Sequence, residues 1–337
     1  MSLQKWRYLL PVVFVVLALT GCQVDSRMNA LDPSGSVGEK QLDLINWSLM
    51  LMVCVFAVVI TIYIYVLIRF RKRKGEERMP EQVHGNTKLE IIWTTIPIIA
   101  LIVLAFPTVK YTFDLDETPK DDGVINVKVV GYQYWWEFQY PDLGITTAQE
   151  LVIPVNKKVN IELAGKDVLH SFWVPALGGK TDVIPGRTNR MWLDAKKPGV
   201  YQGKCAELCG PGHSLMDFKV YAKTQADFDK WVAAMKQPPK KAVSEIDKKG
   251  ETLYKQNCMG CHAGATPQVP GPELNNFALR NTVAGILPNN KENLKKWIKK
   301  TEDLKPGTRM PKINYLQEDE LDALTHYLLN RKDKTVK

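Results

Sequence analysis

The sequence predicts a multi-domain protein with a two-helix transmembrane hairpin, a small β-sandwich or barrel, and an all-α domain at the C-terminus. Three observations support this prediction. The long apolar runs all lie before Tyr111. Short alternating segments separated by Gly and Pro follow from Val124 to about Ala222, as in all-β domains. Towards the C-terminus, apolar residues recur at helical spacing, as at Leu321 and Leu324.

Residues 1–21 are predicted to be an export signal peptide. Basic residues precede an apolar run from Leu9 to Leu19, and a small-residue ending leads directly to Cys22. This ending resembles the lipobox of bacterial lipoproteins, whose cysteine receives a diacylglycerol and becomes the new N-terminus. We therefore expect a lipid-anchored N-terminus at Cys22. The alternative is an ordinary signal peptide with an incidental cysteine.

Residues 40–112 are predicted to form the hairpin. Apolar runs at about 47–69 and 91–109 are each long enough to cross ~30 Å of hydrocarbon as a helix. The basic segment from Arg69 to Lys74 places the loop between them in the cytoplasm, so everything after the hairpin lies on the extracytoplasmic side. A pair of buried core helices is the alternative, and the uninterrupted apolar length disfavours it.

Three segments are predicted after the hairpin. Residues 123–222 form the β domain, residues 223–243 form a stiff polar linker around Pro238, and residues 244–334 form the helical domain. The formal net charge of +9 is not arranged as a basic stripe with interleaved aromatic residues. Nucleic acid is therefore a poor candidate partner.

The segment from Cys205 to Met216 combines two thiols, an imidazole and a thioether in one loop. Soft sulfur together with imidazole selects copper or zinc over hard cations. A mononuclear blue-copper site uses a single cysteine, whereas Cys205 and Cys209 could bridge two copper ions that share one unpaired electron. His170 offers a second imidazole. The alternative is a Cys205–Cys209 disulfide beside a surface His213.

These motifs resemble the binuclear copper A domain of cytochrome c oxidase subunit II, which has a cupredoxin fold. The resemblance extends from about Gln41 to Ala222, including Leu89–Thr94 and Gly178–Gly186. It implies a magnesium ion that is bound by the Glu207 side chain and shared with subunit I. It also implies six copper ligands: the side chains of His170, Cys205, Cys209, His213 and Met216, and the backbone carbonyl of Glu207.

The resemblance also suggests roles for aromatic residues and for Glu90. Gly131–Trp136 resembles the aromatic patch over the copper site, with Tyr134 where well-studied relatives have Trp and with Trp136 retained. A route for electrons through these two residues is one interpretation, and core packing is the other. Glu90 matches a glutamate at the mouth of the family's proton-uptake path; a merely interfacial carboxylate is the alternative.

Residues 258–262 match the C-x-x-C-H signature of covalent haem c attachment. Cys258 and Cys261 are predicted to bind the haem covalently, and His262 to ligate its iron. The segment 270–274 resembles the c-type cytochrome loop whose proline carbonyl orients the proximal histidine. Met310 is the candidate distal ligand. This domain is therefore predicted to be a class I cytochrome c; a disulfide or zinc site lacks further nearby ligands.

Together these features predict subunit II of a caa-type respiratory cytochrome c oxidase in a bacterial cell membrane. Electrons from an upstream respiratory donor would reach haem c, then copper A, then subunit I, where dioxygen is reduced to water and protons are translocated. The chain would be part of an enzyme only within that complex. The expected partners are subunit I, further membrane subunits and membrane lipid.

Three alternatives share some of these features, and the last of them belongs to a different functional class. Nitrous oxide reductase also has a copper A domain, but it lacks this hairpin and needs more than the five histidines present. Quinol oxidase subunit II keeps the fold and loses the copper ligands. A stand-alone membrane-anchored electron-transfer or copper-carrier protein would be isolated without subunit I.

Overall fold

The computed structural model describes most of the chain after the N-terminal segment. The predicted signal peptide, apart from Val13, and Cys22 lie outside the described residues. The described elements form a helical hairpin, a sandwich domain and a C-terminal domain, in that order. The described residues are 13, 28–72, 75, 79, 81–120, 123–262 and 271–332.

Two long helices, α1 (Ser36–Arg69) and α2 (Thr87–Asp116), form the hairpin. Both are long and apolar enough to cross a membrane, and their apolar side chains are exposed at the protein surface. The Asn86 side chain accepts hydrogen bonds from two backbone N–H groups of the first turn, which fixes the start of α2. Both helices extend beyond the apolar runs 47–69 and 91–109.

The N-terminal extension of α1 is explained by its contact with the sandwich domain. The buried Asp194 carboxylate accepts hydrogen bonds from Ser36 N and Ser36 Oγ, both at 2.7 Å. Val37 is buried in the same contact, and Gly38 N donates to Leu177 O at 3.1 Å. These polar first turns lie outside the apolar run because they pack on protein.

The sandwich domain consists of two five-stranded sheets, so the predicted β-sandwich is confirmed. One sheet has the order β3-β2-β1-β5-β8 and the other β4-β10-β9-β6-β7, with the following bounds: β1 Ile125–Tyr132, β2 Trp135–Tyr140, β3 Ile145–Ala148, β4 Glu150–Pro154, β5 Val159–Gly165, β6 His170–Trp173, β7 Thr181–Val183, β8 Thr188–Leu193, β9 Gly199–Cys205 and β10 Asp217–Lys223.

Aromatic side chains fill the space between the two sheets. Trp136 and Phe138 of β2 and Phe172 of β6 are fully buried. The Phe172 ring stacks on Phe218 of β10, with ring centroids 4.5 Å apart. Trp136 lies 5.6 Å from both rings, so the core is continuous with the end of the domain that holds His170.

Helix α3 (Gln225–Lys236) occupies most of the predicted linker, 223–243, and corrects that prediction. The Thr224 side chain caps its N-terminus, and one face is buried against the sandwich domain at Phe228 and Trp231. Apolar residues at helical spacing therefore outweigh the polar composition of this segment. The remaining connection is residues 237–243.

The C-terminal domain is helical, as predicted. A capping box formed by Ser244 and Asp247 opens its first helix. The first and last helices pack together around Leu253, Tyr254 and Leu324. Its elements are α4 (Glu245–Asn257), α5 (Met259–His262), β11 (Thr282–Val283), β12 (Leu287–Pro288), α6 (Lys291–Lys299), α7 (Thr301–Leu304) and α8 (Glu318–Asn330).

Candidate copper and haem centres

Cys205 is the last residue of β9, and Cys209 lies in the loop that follows, at one end of the sandwich. Both side chains are buried, and their sulfur atoms are 3.9 Å apart. A disulfide needs a distance of about 2.05 Å, so the disulfide alternative does not describe this pair. The hydrogen bond between the thiols lowers the pKa of Cys205 and raises that of Cys209. One thiolate therefore forms readily, as a metal ligand requires.

His170 faces the thiols from the neighbouring strand. It is the first residue of β6, and it is completely buried. Its Nδ1 lies 3.9 Å from Cys205 Sγ, and its Nε2 lies 2.8 Å from Asp167 Oδ1. Burial lowers the pKa of His170, but the hydrogen bonds to Asp167 and Cys205 outweigh this effect and raise it. The ring orientation is therefore fixed from both nitrogens.

The remaining predicted ligands surround Cys209. His213 Nδ1 lies 3.6 Å from Cys209 Sγ, and the buried Met216 Sδ lies 3.7 Å from it. The carbonyl oxygen of Glu207 lies 3.2 Å from Cys205 Sγ. The structure thus brings all six predicted donors into one cluster, and the ligand atoms of His170, Cys205 and Cys209 lie within 4.8 Å of one another. This soft donor set suits copper, and its two adjacent sulfurs suit a bridged pair.

Tyr134 and Trp136 occupy different positions around this loop. Trp136 supports it from the core, because its Nε1 donates to Met216 O at 3.3 Å and its ring lies 5.9 Å from the His170 ring. Tyr134 packs directly on Gly210 and Gly212, where an added Cβ would overlap its hydroxyl oxygen and its ring, respectively. Trp136 therefore contacts the loop from the sandwich core, whereas Tyr134 contacts it on the side that faces the C-terminal domain.

The C-x-x-C-H segment begins at Cys258, which caps the C-terminus of α4, and continues as helix α5. His262 Nδ1 lies 2.7 Å from the carbonyl oxygen of Pro272, so the contact expected from the 270–274 loop is present. That bond leaves Nε2 available for iron. Burial lowers the pKa of His262, which favours the neutral ring that metal binding requires. Cys258 is buried and Cys261 is exposed, and both are free.

Met310 and the C-x-x-C-H segment line one cavity in the C-terminal domain. The Met310 sulfur accepts a hydrogen bond from Trp297 Nε1 at 3.2 Å, and the Met310 carbonyl accepts one from Thr301 Oγ1 at 3.0 Å. His262, Cys258, Cys261 and Met310 all line this cavity, together with apolar side chains of the C-terminal domain. The residues therefore fit a haem that is attached at Cys258 and Cys261 and ligated from both faces.

The sandwich domain closes one side of the haem cavity. Tyr134, Trp135 and Gln149 line it together with the C-terminal domain. A Cβ added at Gly307 would lie 3.0 Å from Tyr134 Cε2, so the Tyr134 ring contacts both the 205–216 loop and the segment just before Met310. The Tyr134 side chain therefore lies between the loop that carries the predicted copper ligands and the segment just before Met310.

Three side chains that support the candidate sites were not predicted from the sequence. Asp167 orients His170; its position three residues earlier is a usable sequence cue. Gln133 donates from Nε2 to Cys209 O at 2.7 Å. Arg309 lies 3.4 Å from Gln133 Oε1 and 4.0 Å from Asp167 Oδ2, which connects the Met310 segment to the His170 support. The contacts of Gln133 and Arg309, unlike that of Asp167, join residues that are distant in sequence.

Glu90 lies apart from both centres. It sits in the first turn of α2, exposed, with its backbone N–H donating to Asn86 O at 3.0 Å. Glu207 is half-buried, and its carbonyl oxygen faces Cys205. Cys22 lies outside the described residues.

Comparison with known proteins gives three family matches in chain order. They are Cytochrome C oxidase subunit II, transmembrane domain, over residues 23–111; Cytochrome C oxidase subunit II, periplasmic domain, over residues 144–223; and Cytochrome c, over residues 248–332. Each match overlaps one of the structural units described above, and the periplasmic-domain match begins after β1 and β2 of the sandwich.

Individual relatives span nearly the whole chain. Cytochrome c oxidase subunit 2 of Alkalihalophilus pseudofirmus is 45% identical over 329 residues, covering 96% of each chain. The protein of the same name from Bacillus sp. PS3 is 45% identical over 353 residues, covering 98% of this chain and 99% of the relative. A solved periplasmic domain of cytochrome oxidase subunit II from Bradyrhizobium japonicum is 36% identical, with a TM-score of 0.34, covering 36% of this chain and 97% of that one.

Full-length relatives at this identity and three family matches in the same order establish the family. The chain belongs to the cytochrome c oxidase subunit II family, carries a cytochrome c domain fused at its C-terminus, and is therefore a subunit of an oxidoreductase complex.

Proposed function

We propose that this chain is the electron-input subunit of a respiratory oxidase, with haem c in its C-terminal domain and copper A in its sandwich domain. Bound there, the two groups supply one-electron chemistry between a respiratory donor and subunit I, where dioxygen is reduced to water and protons are translocated. The observation that supports this most directly is the contact of Tyr134 with both the 205–216 loop and the Met310 segment.

The proposed sites use the side chains already described. Cys258 and Cys261 hold the haem, and His262 and Met310 ligate its iron. Glu207 binds magnesium with its side chain, at the interface with subunit I. The copper ligands are His170, Cys205, Cys209, His213, Met216 and the carbonyl of Glu207.

The chain itself contributes fixed orientation around these sites. Asp167 holds the His170 ring, and the Pro272 carbonyl holds the His262 ring, each through one ring nitrogen. Trp297 holds the Met310 sulfur. Ligands that are fixed before the electron moves need little rearrangement when the charge changes, which favours rapid transfer.

Tyr134 provides the proposed contact path between the two domains. Its side chain is 5% exposed, so bulk water is excluded from the path. Gly212 is also close to the C-terminal domain, since a Cβ there would lie 2.8 Å from Pro306 O. Trp136 then supports the copper ligands from the core rather than receiving electrons from outside the protein.

Membrane placement follows from the hairpin. The chain crosses a bacterial cell membrane twice, with both redox domains outside, and the N-terminus is anchored by lipid at Cys22. Glu90 begins α2 at the cytoplasmic side and feeds protons towards subunit I. Leu208, which is 78% exposed beside Glu207, offers an apolar contact for subunit I.

Purification of the complex through a tag on this chain tests the proposal. We expect subunit I to co-purify, haem c to be covalently attached, and electron paramagnetic resonance to show a delocalised copper pair. Isolation of the chain alone would favour a stand-alone electron carrier. Absence of the copper signal from an otherwise intact complex would contradict the copper A assignment.

A further inference from the structure

A polar contact between the two redox domains lies beside the path through Tyr134. On the sandwich domain it consists of Gln149 and Glu150, where β3 passes into β4. On the C-terminal domain it consists of residues 281–284, around β11. Both sandwich residues are 4% exposed, so the contact is buried at the interface between the domains.

The Glu150 carboxylate is satisfied by the C-terminal domain. Its Oε1 accepts hydrogen bonds from Asn281 N at 2.6 Å, Thr282 N at 2.8 Å and Thr282 Oγ1 at 3.1 Å. Its Oε2 accepts one from Asn281 Nδ2 at 3.0 Å. A buried carboxylate is costly without such partners. If the domains separated, the carboxylate and two backbone N–H groups would lose these bonds together.

Gln149 adds a second, independent connection. Its Oε1 accepts from Trp136 N at 3.0 Å within the sandwich, and its Nε2 donates to Ala284 O at 3.0 Å across the interface. Gln149 has φ 65° and Ala284 has φ 54°, both in the left-handed region that side chains other than glycine rarely adopt. Such conformations persist only where the surroundings hold them. The contact between Gln149 and Ala284 therefore joins two backbone positions that each domain holds in an unusual conformation.

A further contact joins the C-terminal domain to helix α3. Lys332, which is 4% exposed, donates from Nζ to the carbonyls of Met235 and Gln237 at the C-terminal end of α3. A cation at this end of a helix is favourable. Arg309, which lies 4.0 Å from Asp167, adds a third contact to those of the Gln149–Glu150 segment and Lys332.

We infer that Gln149 and Glu150 form an interdomain latch that holds the C-terminal domain in one orientation on the sandwich domain. The connection 237–243 then joins two docked bodies instead of allowing one to swing. The latch residues are positioning residues that keep the Met310 segment against Tyr134. Glu150 does not line the haem cavity, whereas Gln149 lines one side of it. This inference rests on the proposed electron relay and specifies how its geometry is maintained.

Dipolar electron paramagnetic resonance on the purified oxidised complex tests the latch, using oxidised haem c and the oxidised copper pair as probes. The wild type should give one narrow distance distribution. Glu150→Ala should broaden it and slow haem-to-copper electron transfer by on the order of tenfold or more, since small displacements strongly affect reactions between positioned groups. The matched control is Glu162→Ala, whose carboxylate is 41% exposed on β5.

Gln149→Gly is the second variant, because glycine adopts φ 65° without strain and removes only the side-chain bonds. It should also broaden the distribution, with the copper spectrum unchanged. If Glu150→Ala fails to fold, this variant decides the question. A narrow distribution in every folded latch variant, or a broad one in the wild type, overturns the latch. Failure to detect haem c or the copper pair in the wild type would instead contradict the proposed function.

Discussion

Cys209 is the side chain on which the proposed copper site depends most. Its sulfur lies 3.9 Å from Cys205 Sγ, 3.6 Å from His213 Nδ1 and 3.7 Å from Met216 Sδ. Cys205, in contrast, is near His170 Nδ1 and the Glu207 carbonyl. Cys209→Ser would therefore remove the sulfur atom that lies between Cys205 on one side and His213 and Met216 on the other.

We expect Cys209→Ser to lower the ratio of copper A copper to haem c by about half or more, because serine is a hard, protonated ligand where copper requires a soft thiolate. The delocalised electron paramagnetic resonance signal should disappear. Haem c content should stay unchanged, since the C-x-x-C-H segment is in another domain. Burying a hydroxyl at a position 5% exposed should also cost about 1–3 kcal/mol of unfolding free energy.

The assay is copper and haem analysis of the purified complex together with its resonance spectrum. Cys54→Ser is the matched control, because Cys54 is exposed on α1, away from the sandwich. An intact delocalised signal in Cys209→Ser would show that this thiol does not bridge the metals.

Three further predictions concern other parts of the chain. Glu90→Ala should slow steady-state turnover while leaving reduction of copper by haem c unchanged; equal turnover in variant and wild type would refute the proton role. Met310→Ala should lower the haem c reduction potential in a redox titration, because His/Met ligation raises it, and an unchanged potential would exclude Met310 as a ligand. Asp194→Ala removes both hydrogen bonds to Ser36 and should lower the free energy of unfolding by about 1–3 kcal/mol. Thermal denaturation with no change in midpoint would contradict that role.

Local features of the sequence predict most of the architecture. Apolar length identifies α1 and α2, alternation identifies the second domain as all-β, and cysteine spacing identifies both redox motifs. Segment 225–236 is harder, because the prolines and lysines that follow it suggest a linker. Its apolar residues Phe228, Trp231 and Met235 recur at helical spacing, and their burial on the sandwich stabilises a helix instead of an extended linker.

The docking of the two redox domains could not be predicted in this way. Glu150 and Thr282 are 132 positions apart, and each is an unremarkable polar residue in its own segment. Similarly, nothing local to Tyr134 indicates that its ring would contact Gly307 as well as Gly212. Such contacts depend on how folded units pack together, which periodicity and motif spacing do not encode.

The central claim is that electrons enter at haem c and pass within this chain to copper A. A domain that is tethered and docked keeps the donor at high effective concentration, so its electron transfer should need no salt-sensitive encounter. A freely diffusing donor would instead depend on charge steering, which salt screens strongly.

Stopped-flow reduction of the purified complex across a salt series tests this claim most directly, with haem c and copper A followed at separate wavelengths. We expect haem c to be reduced first and copper A to follow it at a rate that is nearly independent of ionic strength. Reduction of copper A before haem c, or a haem-to-copper rate that falls steeply with added salt, would contradict the claim.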